Sequence, residues 1–78
     1  MPKIPVIKAR EFYKYILKYD CKLISITGSH HKVSNNRNNK VSVIAIHGSK
    51  DLLPSLFAKT LKDLAIDIDD FLEFVKNN

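Results

Sequence analysis

Cysteine, glycine and long apolar runs are scarce in this chain of 78 residues. The single cysteine, Cys21, excludes an internal disulfide and fits a reducing compartment. No run approaches the roughly 20 apolar residues that a membrane-spanning helix needs. The opening residues, MPKIPVIKAR, lack the apolar core of about 7–15 residues that is typical of a signal peptide. We therefore expect a cytoplasmic protein without a membrane segment.

Several common catalytic and metal-binding motifs are also absent. The sequence has no glycine-rich phosphate loop, no His-Glu-x-x-His zinc motif and no Gly-x-Ser-x-Gly elbow of serine hydrolases. The acidic run at 67–70 lacks the glycine and the distal glutamate of a calcium loop. A single cysteine argues against a closed zinc site. Two adjacent histidines on a strand point in opposite directions, so they cannot bind one metal ion together. We expect no metal and no organic cofactor.

Length and charge favour a polymer as partner. The chain is long enough for a single domain, 1–78, and too short for a deep, lidded pocket. Residues 1–50 carry ten Lys and Arg against two acids, a net of +8, whereas residues 51–78 carry three lysines against six acids, a net of −3. A basic N-terminal part attracts phosphates, although the lysines of a basic protein can also serve only to keep its surface solvated.

Hydrophobic periodicity predicts an α+β domain. The apolar spacing over 9–19 predicts an amphipathic helix, and β-rich segments at 22–27, 30–34 and 41–46 predict three antiparallel strands, with the asparagine-rich stretch at 35–39 as a turn. Two helices follow, the second one short and capped by Asp67. With the helices on one face of the sheet, the predicted core is Phe12, Ile16, Leu56, Phe57 and Leu61.

The stretch GSHHK, residues 28–32, contains the candidate chemistry. If Val33 faces the core, strand alternation places His31 on the same face and His30 with Lys32 on the other. An exposed histidine can take and give a proton near neutral pH. RNA needs little more, because its 2′-hydroxyl is a built-in nucleophile beside the scissile phosphate. Gly28 and Ser29 are predicted to form the turn before the strand.

Two non-catalytic interpretations remain open from these residues. Most exposed histidines on strands have no chemical role, so the same fold could bind structured RNA by shape and phosphate contacts without cutting it. The domain could also bind only proteins, through a bare sheet face that includes Ile44 and Ile46.

The sequence resembles the HicA toxins, small bacterial and archaeal mRNA interferases. The resemblance runs from about Lys8 to Val75 and is carried by KAREFYKYILKYDCKL, by GSHHK, by VIAIH and by the closing segment that begins KDLLPSLF. It implies a double-stranded-RNA-binding-domain-like fold, α-β-β-β-α, with a short C-terminal helix. It also implies ribosome-independent cleavage of mRNA, and a HicB-type antitoxin that covers the site and could assemble the toxin into an oligomeric complex.

The resemblance assigns the catalytic role to His30. Thr27 stands where the family often has a basic residue, so other cations are expected to hold the RNA phosphates. His47 matches a family histidine after the third strand, with an expected structural or helix-capping role. His31 and His47 are candidates for a second acid or base. The residues expected to bind phosphate are Ser29, Lys32, Arg37 and Lys22, and those expected to support the site are Gly28, His31 and His47.

Overall fold

The element order contains the predicted α-β-β-β-α arrangement. A computed structural model describes residues 4–78. Its elements are β1 (Ile7–Lys8), α1 (Ala9–Lys18), β2 (Cys21–Thr27), β3 (His30–Asn35), β4 (Val41–Ala45), β5 (Asp51–Leu52), α2 (Pro54–Asp63) and α3 (Ile68–Lys76). Strands β2, β3 and β4 form an antiparallel sheet in sequence order, and the prediction of an α+β domain is confirmed. The short pairing of β1 with β5 was not predicted.

Helix α1 forms because its apolar residues recur on one side. Ala9, Phe12 and Ile16 are buried, whereas Lys14 and Lys18 are exposed. The helix ends where Asp20 takes a left-handed conformation, with φ of 61°. This turn directs the chain into β2.

The turns between the strands use residues that tolerate positive φ. Gly28, with φ of 60°, begins the two-residue turn between β2 and β3, as such hairpins require. Asn39, with φ of 60°, completes the turn between β3 and β4. The amide of buried Asn35 donates to the carbonyl of Leu64 over 2.8 Å, which ties this turn to the end of α2. The predicted asparagine turn is confirmed.

The last two helices begin as the sequence indicates. Pro54 occupies the first helical position of α2, where no intrahelical N–H is needed. The carboxylate of Asp67 accepts the backbone N–H of Asp70 over 3.0 Å and so caps α3, as predicted.

The helices pack on one face of the sheet, and three phenylalanines occupy the centre. The ring of Phe12 lies 4.8 Å from that of Phe57 and 5.5 Å from that of Phe71, centroid to centroid. Val33 supports them from the middle strand and is fully buried. Of the predicted core, four residues are confirmed: Phe12, Ile16, Phe57 and Leu61.

Two predictions about burial are wrong. Leu56 is 44% exposed, because it lies at the start of α2 on a side that the core does not reach. Ile44 is 1% exposed, and Ile46 packs against the core, so neither belongs to a bare sheet face. Val41 and Val43 occupy that face instead and are about half exposed.

Cys21 is a buried thiol with altered acidity. Its Sγ donates to the carbonyl of Tyr19 over 3.6 Å. Burial, helped by the charge of Asp20, raises the pKa of the thiol from 9.0 to about 11. Between these values the unfolded chain releases the proton while the folded chain keeps it. The contribution to stability is therefore full below pH 9 and is lost as the pH rises through about 11.

Alkylation of Cys21 should reflect this shift. We expect the rate of reaction with iodoacetamide, followed against pH in the folded protein, to rise with a midpoint well above that of the chain in urea, because the thiolate is the reactive form. Equal midpoints in the folded and unfolded protein would contradict the burial of this thiol.

Candidate active site

The outer face of the sheet, defined as the face opposite the helices, carries the candidate catalytic histidine. Buried Val33 and Ile44 mark the face that packs on the helices, so the residues alternating with them belong to the outer face. Directly paired residues of antiparallel strands share a face. The outer face thus consists of three rows across β2, β3 and β4: Thr27, His30 and Ala45; Ser25, Lys32 and Val43; Lys22, Ser34 and Val41.

His30 is the exposed first residue of the middle strand. Its pairing partners are Thr27 and Ala45, two small side chains that leave the imidazole accessible. The face assignment made from the sequence is confirmed for this residue. Thr27, which carries a hydroxyl, was not predicted as a site residue. Its position beside His30 depends on the register of β2 against β3, which the sequence leaves undetermined.

Two of the predicted cations share the outer face with His30. Lys32 lies two residues further along β3, about 7 Å from His30 along the strand. Lys22 pairs with Ser34, which is four residues from His30, or about 13 Å along the strand. Both lysines are exposed. A track of positive charge therefore runs from the histidine along the open face of the sheet.

Arg37 does not join this track. It lies in the turn after β3, at the end of the strand opposite His30. Its Nε donates to the carboxylate of Asp20 over 3.3 Å, in an ion pair that is exposed to solvent. The structure places Arg37 with the turn rather than with the histidine.

His31 points away from His30, as strand alternation predicts. It is half-buried on the helix side of the sheet, where its ring centroid lies 5.0 Å from that of Tyr13. Its Nδ1 lies 3.2 Å from the carbonyl oxygen of Ser29. Because the two imidazoles face opposite sides of the sheet, they cannot contact the same phosphate, and His31 is poorly placed as the proton-transfer partner of His30.

The turn residues and His47 lie at the same end of the sheet. The carbonyl of Ser29 accepts the backbone N–H of Ile46 over 2.8 Å, which fixes the turn against the end of β4. Exposed His47 follows, and its carbonyl accepts the N–H of Lys50 over 3.2 Å. The N-cap of α2 is Leu53, so a helix-capping role for His47 is wrong.

Two further observations concern the described residues only. Within 4–78, no three His, Cys, Asp or Glu side chains lie together in a way that could hold a metal ion, and we assign no ligand set. In the same part of the chain, none of the helices has the length and apolar character to cross a membrane.

Comparison with known proteins identifies the family. The family model described as the HicA toxin of bacterial toxin-antitoxin matches residues 9–66, well over half of the chain. No curated protein and no solved structure matches the chain significantly. The matched segment runs from α1 through the three-stranded sheet and α2, and it includes both His30 and the lysines of the outer face. The chain therefore belongs to the HicA family of toxins from toxin-antitoxin systems.

Proposed function

We propose that this protein is a metal-independent endoribonuclease that cuts mRNA, with His30 as its catalytic residue. The observation that carries the proposal is the position of His30, which is exposed on the middle strand of an open sheet face with two lysines along the same face. A flat, open site suits a long polymer better than a small metabolite.

The proposed reaction uses the 2′-hydroxyl of RNA as its nucleophile. His30 takes the proton of that hydroxyl, and the 2′ oxygen attacks the adjacent phosphorus. The bond to the 5′ oxygen of the next nucleotide breaks, and that oxygen takes a proton from solvent. The products are a 2′,3′-cyclic phosphate and a 5′-hydroxyl end. DNA lacks the nucleophile and is not a substrate.

Lys32 and Lys22 are proposed to hold the RNA backbone along the outer face. Both charges would hold phosphates on one side of the cut, and Lys32, the nearer of the two to His30, would also stabilise the charge that develops at the reacting phosphorus. Ser29 and Gly28, at the start of the strand, are proposed to fix the position of His30 and to offer backbone N–H groups to a phosphate.

The same face is proposed as the binding surface for the antitoxin. Family membership implies an antitoxin partner. Half-exposed Val43 shares the row of Lys32, and Val41, also half exposed, lies in the next row, so the face combines apolar side chains with the charges of the site. A HicB-type protein bound there would cover His30 and exclude RNA.

Cleavage of RNA and DNA of the same sequence tests the proposal. We expect the purified protein, in excess chelator near neutral pH, to cut a 5′-labelled RNA and to leave its DNA equivalent intact. Binding of the RNA without cutting would assign the fold to a non-catalytic RNA-binding module. Absence of any salt-sensitive affinity for RNA would instead leave protein binding as the function.

A further inference from the structure

A separate cleft lies on the helix side of the sheet, beside the turn that precedes His30. It has a volume of about 360 Å³ and is lined by Arg10, Tyr13, Lys14, Ser29, His31 and Ile46, with Gly28 at its edge. We call it the helix-side cleft. Its volume is at the lower end of the range for ligand sites, about 300–1,000 Å³. It fits one or two units of a polymer rather than a folded partner.

Hydrogen bonding fixes the orientation of the imidazole in this cleft. The Ser29 carbonyl can only accept, so Nδ1 of His31 carries the proton that it shares with that oxygen over 3.2 Å. The same carbonyl is held by the Ile46 N–H over 2.8 Å. In the described part of the chain, Nε2 of His31 has no protein partner. This nitrogen is available to a ligand.

Two cations on α1 also line this cleft. Arg10 and Lys14 are one helical turn apart, and they also line an adjoining cleft of about 340 Å³ with Gly48 and Ser49. Neither forms an ion pair among residues 4–78, whereas Lys8 beside them lies 3.9 Å from the carboxylate of Asp51. Glu11 lines the adjoining cleft and does not line the helix-side cleft. Like charges one turn apart repel each other, and a bound anion would relieve that repulsion.

An aromatic ring completes the chemistry of the cleft. Tyr13 is half-buried and packs against the ring of His31 at an interplanar angle of 59°. Rings, cations and an imidazole nitrogen within one small cleft are the groups that bind single-stranded RNA, through contacts with its bases and phosphates.

We propose that the helix-side cleft is a second RNA subsite, which binds the nucleotide next to the one that His30 cuts. Arg10 and Lys14 bind its phosphate, and Tyr13 with His31 contacts its base and sugar. The inference rests on the proposed nuclease function. His30 and His31 are consecutive residues on opposite faces, so their rings are on the order of 10 Å apart. An RNA strand that passes around the Gly28–Ser29 turn can therefore contact both His30 and the helix-side cleft.

The test separates binding from chemistry with a charge-matched control. The double variant Arg10→Ala/Lys14→Ala removes two cations from the cleft, and Lys62→Ala/Lys76→Ala removes two from α2 and α3. Affinity is measured with a short single-stranded RNA carrying 2′-O-methyl groups, which cannot be cut. Cleavage of the unmodified RNA is measured at saturating concentration.

We expect the cleft variant to bind the 2′-O-methyl RNA about tenfold more weakly, with a salt dependence smaller by about 1.4 in the slope of log K against log salt. Its cleavage rate at saturation should stay within about threefold of the wild type. His31→Ala should raise KM in the same way. The control variant, Lys62→Ala/Lys76→Ala, should bind the RNA with nearly the affinity of the wild type. Its slope of log K against log salt should stay close to that of the wild type.

Three results would overturn the subsite. The first is a cleft variant that binds RNA as tightly as the control variant does. The second is a cleft variant that loses affinity for the antitoxin but not for RNA, which would assign the cleft to that protein. A saturated rate that collapses in His31→Ala would make the cleft the cleavage centre itself. If the wild-type protein cuts no RNA but its binding still depends on Arg10 and Lys14, the proposed nuclease function fails and the cleft remains an RNA-binding site.

Discussion

Replacing His30 with alanine is expected to lower the rate of RNA cleavage by about 10²–10⁴-fold, the usual contribution of a general acid or base. The reason is the loss of the one imidazole on the open sheet face, where His30 lies between Thr27 and Ala45. The side chain is exposed, so the fold and the affinity for RNA should persist. Growth inhibition by the expressed toxin should disappear with the cleavage.

The chain offers a matched control for this variant. His47 is also an exposed histidine, and it lies in the turn after β4 rather than on the sheet. His47→Ala should retain cleavage within about threefold of the wild type. Thermal unfolding and RNA binding are measured for both variants. A His30→Ala protein that is folded and cuts RNA at the wild-type rate would contradict the assignment.

Replacing Phe12 with alanine is expected to lower the free energy of unfolding by about 3–5 kcal/mol, the cost of removing a large ring from a packed core. Phe12 is fully buried and contacts the rings of both Phe57 and Phe71. Small domains have stabilities near the lower end of about 5–15 kcal/mol. Much of the variant should therefore be unfolded at moderate temperature, as urea titrations followed by circular dichroism would show.

Phe74→Ala provides the comparison at the edge of the same cluster. Phe74 is half-buried, and its ring lies 5.1 Å from that of Tyr19 and 6.4 Å from that of Phe71. Both variants lose the same atoms, but those of Phe74 bury less apolar surface than those of Phe12. The loss of stability should therefore be less than half of that in Phe12→Ala. Equal losses in the two variants would contradict the central position of Phe12.

Much of the fold was predictable because local signals agree with the tertiary contacts. The 3.6-residue spacing indicates helix α1, the β-rich segments indicate strands β2 to β4, and the asparagine-rich stretch indicates a turn. All of these elements are present in the structure. The face of His30 was predictable once Val33 was assumed to be buried, since strand alternation decides the rest.

The errors arise where two faces look alike in the sequence. In β4, Val41 and Val43 alternate with Ser42 and Ile44, and either set could have formed the core. The structure buries the serine because its hydroxyl donates to the carboxylate of Asp63 over 3.0 Å, a contact between elements that no local pattern reveals. This bond also contributes to the lowered pKa of that carboxyl, after the larger effect of the hydrogen bond from Lys59.

The candidate site was predictable only along one strand. His30 and Lys32 follow from alternation within β3, whereas the neighbourhood of Thr27 depends on the pairing of two strands. Arg37 is close to them in sequence, but the turn directs it to Asp20. The cations of the helix-side cleft come from α1, and only the packing of that helix on the sheet brings them near His31.

The chemical nature of the RNA ends tests the central claim most directly. RNA is cut by the purified protein in excess chelator, and the fragments are identified by mass spectrometry. Attack by the 2′-hydroxyl predicts 2′,3′-cyclic phosphates and 5′-hydroxyl ends, both formed about 10²–10⁴-fold more slowly by His30→Ala. Fragments with 3′-hydroxyl and 5′-phosphate ends would show that another nucleophile attacks the phosphorus, which would contradict the proposed reaction.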